Sequence, residues 1–359
     1  MQKTIYALIL TLVFLGTAET AFAGNPDRQG EAGAAQLLMN PWARSAGLHT
    51  MTTANISGIE AMRLNVAGIG RMRGLEVSAG NAIYLEGTGI NMNAFGFGTK
   101  LGKSGALAIT IMALDFGDIR ETTTALPEGT GSTFSPNFNN IGIGYSRVFD
   151  NKISVGIAVR AVSEQISDLR ASTIAMDAGV QYVTGDDDQF KLGISLRNLG
   201  GKMKFRGDGI AEQVTIGDYT IAVDQRTSGF EIQSALNIGL SYDFLHGGNS
   251  DDFKLTAVGN FTSNAFSQDQ IGGGIEFWFK DVFAVRGGYK YEVGSSANAE
   301  QAALYSGPAG GASFQIPFKK GDPNTGKLVI DYGYRMTSLF GGTHNFGLKL
   351  DLGAVKKEE

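Results

Sequence analysis

Cysteine is absent from the 359 residues, histidine occurs three times and proline seven times. Without cysteine there is no thiolate nucleophile, no disulfide and no cysteine-ligated metal. His49, His246 and His344 stand too far apart in sequence for a helical metal site. No Gly-x-Ser-x-Gly elbow occurs, so a serine hydrolase has no recognisable nucleophile. No catalytic residue, cofactor or metal is expected. The net charge of −5 is mild and comes without the basic patch that nucleic acid needs. No run of 18 apolar residues follows Gly16, so any membrane must be crossed by strands. Asp186-Asp187-Asp188, Asp251-Asp252 and residues 322–325 fall at hairpin connections. There Asp and Asn serve turn geometry rather than calcium.

What is present begins with an export signal. Met1-Gln2-Lys3, an apolar run over 5–16 and Ala21-Phe22-Ala23 form a charged start, a short hydrophobic stretch and a small-residue cleavage site. Residues 1–23 are read as a signal peptide, with Gly24 opening the mature chain. Glycine is abundant at 51 residues and phenylalanine numbers 22, a composition suited to a bent antiparallel sheet.

Alternation of apolar and polar residues recurs down the chain. Phe346, Leu348, Leu350 and Leu352 alternate with Gly347, Lys349 and Asp351. Leu236, Ile238, Leu240, Tyr242 and Phe244 alternate with Asn237, Gly239, Ser241 and Asp243. Fourteen such segments are expected between 74 and 353, among them 139–149, 152–163, 172–184 and 311–318. Most run about 9–13 residues, near the length that a tilted membrane strand needs. Their apolar faces end in aromatics such as Tyr182, Phe244, Tyr289 and Tyr332, as interfacial girdles do. The connections tend to alternate short and long, with long ones at 118–138, 200–229 and 293–310. That rhythm belongs to an outer-membrane barrel with tight periplasmic turns and long extracellular loops. A propeller or large sandwich is the other all-β reading. The expectation is a closed 14-stranded antiparallel transmembrane β-barrel over 74–353, its outer wall in outer-membrane lipid. A charged tail follows at 354–359, and an even strand count puts both termini in the periplasm.

Fourteen strands enclose more space than wall side chains fill. Residues 24–73 are apolar enough to enter that space as a hatch, the other reading being a periplasmic extension. The lumen face is expected to carry Arg160, Asp177, Arg197, Glu276, Arg286, Asp331 and Arg335, paired with one another or with the hatch. Gly272-Gly273-Gly274 lies in a strand and reads as a bend or a close hatch contact. Loop candidates for partner binding are Glu121, Glu128, Phe134 and Phe138, then Lys204, Phe205, Arg206 and Tyr219.

Short N-terminal motifs add a resemblance. Glu31-Ala-Gly-Ala-Ala-Gln-Leu-Leu38, Trp42-Ala-Arg-Ser-Ala-Gly47, Gly58-Ile-Glu-Ala61 and Asn65-Val-Ala-Gly-Ile69 resemble the signature of the PorV/PorQ family. These are outer-membrane proteins of Bacteroidota, related in fold to FadL fatty-acid transporters. The residues carrying the likeness include Trp42, Arg44, Gly47, Glu60, Asn65 and Gly68. Val66 stands where the family has proline, and Leu48-His49 replaces its Met-Gly pair, which implies a paralogue. The resemblance implies a 14-stranded barrel with a hatch. It also implies a non-enzymatic role beside the type IX secretion system, with protein partners bound through loops and outer wall. The alternative is a FadL-like transporter that holds a small hydrophobic ligand.

Overall fold

The structure, a computed structural model, describes residues 25–245, 252–294, 304, 306–319, 325–337 and 340–353. The signal peptide, the tail at 354–359, His246 and most of the loop after 294 lie outside the described residues.

Fourteen strands close into one antiparallel barrel. They are β1 (Glu76–Tyr84), β2 (Ile90–Leu101), β3 (Gly105–Asp115), β4 (Asn137–Phe149), β5 (Ile153–Ile166), β6 (Leu169–Thr184) and β7 (Phe190–Gly200). The second half comprises β8 (Ala235–Leu245), β9 (Phe253–Asn264), β10 (Gln270–Phe279), β11 (Phe283–Glu292), β12 (Gly307–Pro317), β13 (Lys327–Arg335) and β14 (Thr343–Asp351). β1 closes the ring by pairing with β14, Val77 opposite Leu350. Closure removes both sheet edges, which lipid would leave unpaired.

One mouth is made of tight turns. Asp150 and Asn151 have φ of 47° and 56°, and Lys280 and Asp281 have 52° and 50°. Two successive left-handed residues match the twist of the strands they join. The other mouth carries the long loops. There the structure corrects three boundaries. β5 and β6 continue upward until only Ser167-Asp168 separates them. Glu164, Gln165 and Arg170 break the apolar alternation, so the added length left no sequence signal. β12 begins at Gly307 rather than 311. The loop at 200–229 contains a ribbon, Ala211–Ile216 paired with Tyr219–Asp224.

The alternation points outward. Ile157 is 55% exposed and Ala158 beside it 1%. Ile109, Ile141, Ile174, Ile275 and Leu348 join a band of exposed apolar side chains around the barrel. Water does not tolerate so large a patch, whereas lipid requires one.

Residues 25–73 run through the lumen. Helix α1 (Ala43–Ala46) packs on β12, β13 and β14, and the 3-10 segment Val66–Arg71 packs on β4, β5 and β6. Between them, helix α2 (Ala61–Leu64) joins a core with Ile56, Ile69, Ala106 and Ala158. Leu37, Leu48, Ile56, Ile59, Met62 and Ile69 are completely buried. Each contributes roughly 1.5–3 kcal/mol to seating the segment.

The first described residues lie at the loop mouth and Gly353 at the turn mouth. Ala32 and Gly33 pair in parallel with Glu231 and Ile232, just before β8 at the loop mouth. Arg28 bonds Glu231 at 3.3 Å and lies over the Phe266 ring at 4.2 Å. Gly353 follows β14 at the turn mouth. Counting strands locates only the barrel's ends. It is blind to a plug that reaches the loop mouth.

Candidate functional site

The lumen is a packed contact between hatch and wall. Hatch helices of four residues leave most of their carbonyls without an intrahelical donor. Wall side chains supply the donors. Ser146 Oγ donates to Ala67 O at 2.8 Å, Ser195 Oγ to Leu64 O at 2.7 Å, and Gln181 Nε2 to Ile56 O at 2.9 Å. Asn345 Nδ2 donates to Asn40 O at 3.0 Å, and Arg160 Nη2 to Met62 O.

Glycine lets the backbones meet. A Cβ on Gly156 would sit 2.5 Å from Val66 C, and one on Gly193 2.3 Å from Thr53 O. Gly47 of the hatch rests on Gly311 of β12, its ideal Cβ 3.0 Å from that Cα. Gly272 and Gly274 face Met51 and Leu48, while Gly273 faces away.

The signature residues are fixed in the same way. Trp42 is buried with Ile59, Ala94 and Met112. Asn65 donates to Thr53 O and Val180 O and accepts from Ala67 N, capping the 3-10 segment. A Cβ on Gly68 would meet Ile56 O. Arg44 holds Glu276 through two bonds, at 2.9 and 3.3 Å. Glu60 is 4% exposed, in a pocket where burial raises its carboxyl above the usual range despite nearby Lys349.

Every lumen charge named above points inward and is buried. Arg160 pairs with Asp177 at 2.5 Å. Glu276 receives Arg44 from the hatch and Arg286 Nε at 2.8 Å, while Ser313 links Arg286 to Asp331. Arg197 and Arg335 donate to the hatch carbonyls of Leu37 and Asn40. Removing one partner of a buried ionic cluster strands the rest, at about 3–5 kcal/mol. Glu276→Ala should therefore lower the midpoint of urea unfolding in detergent, read by the heat-dependent gel shift of the barrel. An unchanged midpoint would mean that this cluster holds nothing.

The loop candidates do not converge. Glu121 and Glu128 are exposed in one loop, where the carbonyl of Glu128 accepts from Arg120. Phe134 pairs only locally, opposite Ile119. Phe138 belongs to β4 and meets Phe116 edge-on at 4.8 Å. Phe205 turns inward beside Phe230, against the buried cluster of Ala34 and Leu37. Arg206 pairs through its backbone with Arg170, and Lys204 is exposed. Tyr219, 77% exposed, stands on the ribbon.

A chamber with a volume of about 200 Å³ lies above the hatch, at the loop mouth. Ala35, Leu38 and Met39 of the hatch form an apolar floor with Ala235. Arg197, Lys290, Arg335, Asn237, Asn264 and Gln270 form a polar wall. Beside Thr50 on the floor, His49 is buried with neither ring nitrogen hydrogen-bonded. Desolvation, then the charges of Lys290 and Arg335, push it down to about 2 and keep it neutral. Sequence reasoning placed Lys290 on the lumen face among the other charges, and it missed Ser146, Gln181 and Ser195. On a strand they read as ordinary lumen-facing polar positions.

No family model matches the sequence, and no curated protein matches it. Solved structures do. The CymD monoaromatic hydrocarbon channel matches with a TM-score of 0.53 at 13% identity, covering 87% of this chain and 97% of that one. The Pseudomonas putida toluene transporter TodX matches with a TM-score of 0.51 at 10% identity, with the same coverage. The fold is FadL-like. Its neighbours are outer-membrane channels rather than enzymes. No sequence match supports the PorV/PorQ family in particular.

Proposed function

We propose that this chain is an outer-membrane transporter of small, largely hydrophobic molecules, closed at rest by its own N-terminal segment. The observation that carries the reading is the chamber. It is a space with an apolar floor at the loop mouth of the lumen. The fold likeness adds support, since the two barrels matched are described as a hydrocarbon channel and a toluene transporter. The substrate would enter from the loop side, rest on Ala35, Leu38 and Met39, and pass when the hatch shifts. Cells carrying the barrel should take up radiolabelled toluene faster than cells with an empty vector. Equal initial rates at verified surface levels of barrel would overturn the proposal.

The protein-secretion reading keeps one observation of its own. Val214, Ile216, Tyr219, Ile221 and Val223 share one face of the ribbon and are all exposed. An isolated two-stranded ribbon is marginal in water, so this face favours a protein partner. Affinity purification from native membranes, with and without the ribbon, separates the two readings.

A further inference from the structure

One sector of the outer wall differs from the rest. The loop-side ends of β11 and β13 carry Tyr289, Tyr291 and Tyr332 on the lipid face, as an interfacial girdle does. On β5 and β6 the outer face instead ends in small residues, Ala161, Ser163 and Ser172, with the cation Arg170 above them. These four line a groove of about 450 Å³ together with Ile111, Ile141 and Ile174. The three isoleucines are exposed members of the lipid band. Arg170 Nε donates to Ser163 Oγ at 3.1 Å, which holds the guanidinium at the polar end of the groove.

Further cations join Arg170. Beyond β7 the chain continues upward beside β6, with Arg206 bridged antiparallel to Arg170. Residues directly opposite in such a bridge share a face. Met203 is fully buried, and Phe205 packs on the inner cluster of Ala34 and Leu37. Lys202, Lys204 and Arg206 alternate with them, are all exposed, and so take the outer side. Lys202 Nζ lies 3.6 Å from Glu231. Arg170, Lys204 and Arg206 form no ion pair among the described residues.

Arg170 stands four residues beyond Ile174, about 13 Å along the strand. A strand tilt of about 40° brings that to about 10 Å above the hydrocarbon, where a long side chain reaches the headgroup layer. An acidic protein would match the cations but not isoleucines at membrane depth. The groove continues the lipid face, so its occupant is a lipid, and the cations above it select a phosphate headgroup. We propose that this sector binds a phosphorylated lipid of the outer leaflet, its phosphate against Arg170, Lys204 and Arg206 and an acyl chain along the groove. Neither the cations nor the groove line the chamber, so this binding stands apart from transport.

Lipid A, a diphosphorylated and acylated disaccharide, is the probe in native mass spectrometry of the mature barrel in detergent. Dephosphorylated lipid A, inorganic phosphate and hexaglutamate are run beside it. Lipid A should be retained as an adduct. Arg170→Gln should weaken it about fivefold, the equivalent of about 1 kcal/mol for one basic residue beside anionic lipid. Arg170→Gln, Lys204→Gln and Arg206→Gln together should leave no adduct. Ala161→Trp fills the groove without touching the charge and should weaken retention too. Arg147→Gln removes an exposed cation near the turn mouth and should change nothing. All these side chains lie on the outer face, so the variants should fold, as the gel shift will report. A wild type without adduct, or equal retention by wild type and the triple variant, would overturn the site. Dephosphorylated lipid A held as tightly as lipid A would remove the phosphate from the proposal. Inorganic phosphate held as tightly, or lipid A displaced by hexaglutamate, would overturn the lipid as occupant.

Discussion

Replacing two wall glycines, Gly156→Val and Gly193→Val, unseats the hatch and leaves a conducting barrel. Each new side chain begins where hatch backbone already lies, at 2.5 Å from Val66 C and 2.3 Å from Thr53 O. Overpacking of this kind costs about 1–3 kcal/mol per site even where side chains can yield, and here the obstacle is main chain. The wall has its own closed ladder and does not need the hatch to stay paired. The weaker element therefore moves. In planar bilayers the double variant should show conductance steps well above wild type, and protease should cut the N-terminal segment. Deletion of residues 24–73 should give the same steps. Gly259→Ala is the control, since its Cβ has no neighbour closer than 4.0 Å. Unchanged conductance with an intact gel shift would mean that the close approach does not hold the hatch.

The second large effect comes from locking the hatch. A Cβ placed on Gly347 of β14 lies 3.3 Å from the Ala43 Cβ of helix α1, near the separation of about 3.5–4.5 Å that a disulfide spans. The chain has no cysteine, so Ala43→Cys with Gly347→Cys has no competing thiol. In an oxidising compartment the pair should join and tie α1 to the wall. Uptake of toluene should then fall at least about tenfold and return on reduction. Full uptake through the oxidised barrel would mean that substrate passes without moving α1. Either single variant should transport normally, which separates locking from damage.

Much of the barrel was legible in the residues. Ile153, Val155, Ile157 and Val159 alternate with Ser154, Gly156, Ala158 and Arg160, and a strand must send those sets to opposite faces. The expected segments matched the strands closely because the lipid face demands an unbroken apolar row. Where that demand stops, above the membrane, the reading stopped too. The extra length of β5 and β6, carried by residues such as Glu164 and Arg170, is held by ladder hydrogen bonds that any side chain permits.

The candidate site was legible in a different measure. Arg44, Asn65 and Gly47 stood out by motif, yet the residues that answer them are spread over the barrel. Glu276 is 232 positions from Arg44, and Val180 is 115 from Asn65. Lys290 looked like one more lumen charge. Its place beside Arg197 and Arg335 in one chamber is a property of its neighbours rather than of its own type.

By itself the sequence determined the strand count, the lipid-facing row and the presence of an apolar segment too sticky to stay in water. These follow from local periodicity and burial, which a linear chain records directly. Only the tertiary structure decided that the segment reaches the loop mouth, that wall glycines and serines seat its backbone, and that Arg197, Lys290 and Arg335 line one chamber over an apolar floor. Those are distances between parts far apart in the chain, set when closing the ring brings β7, β11 and β13 around one lumen.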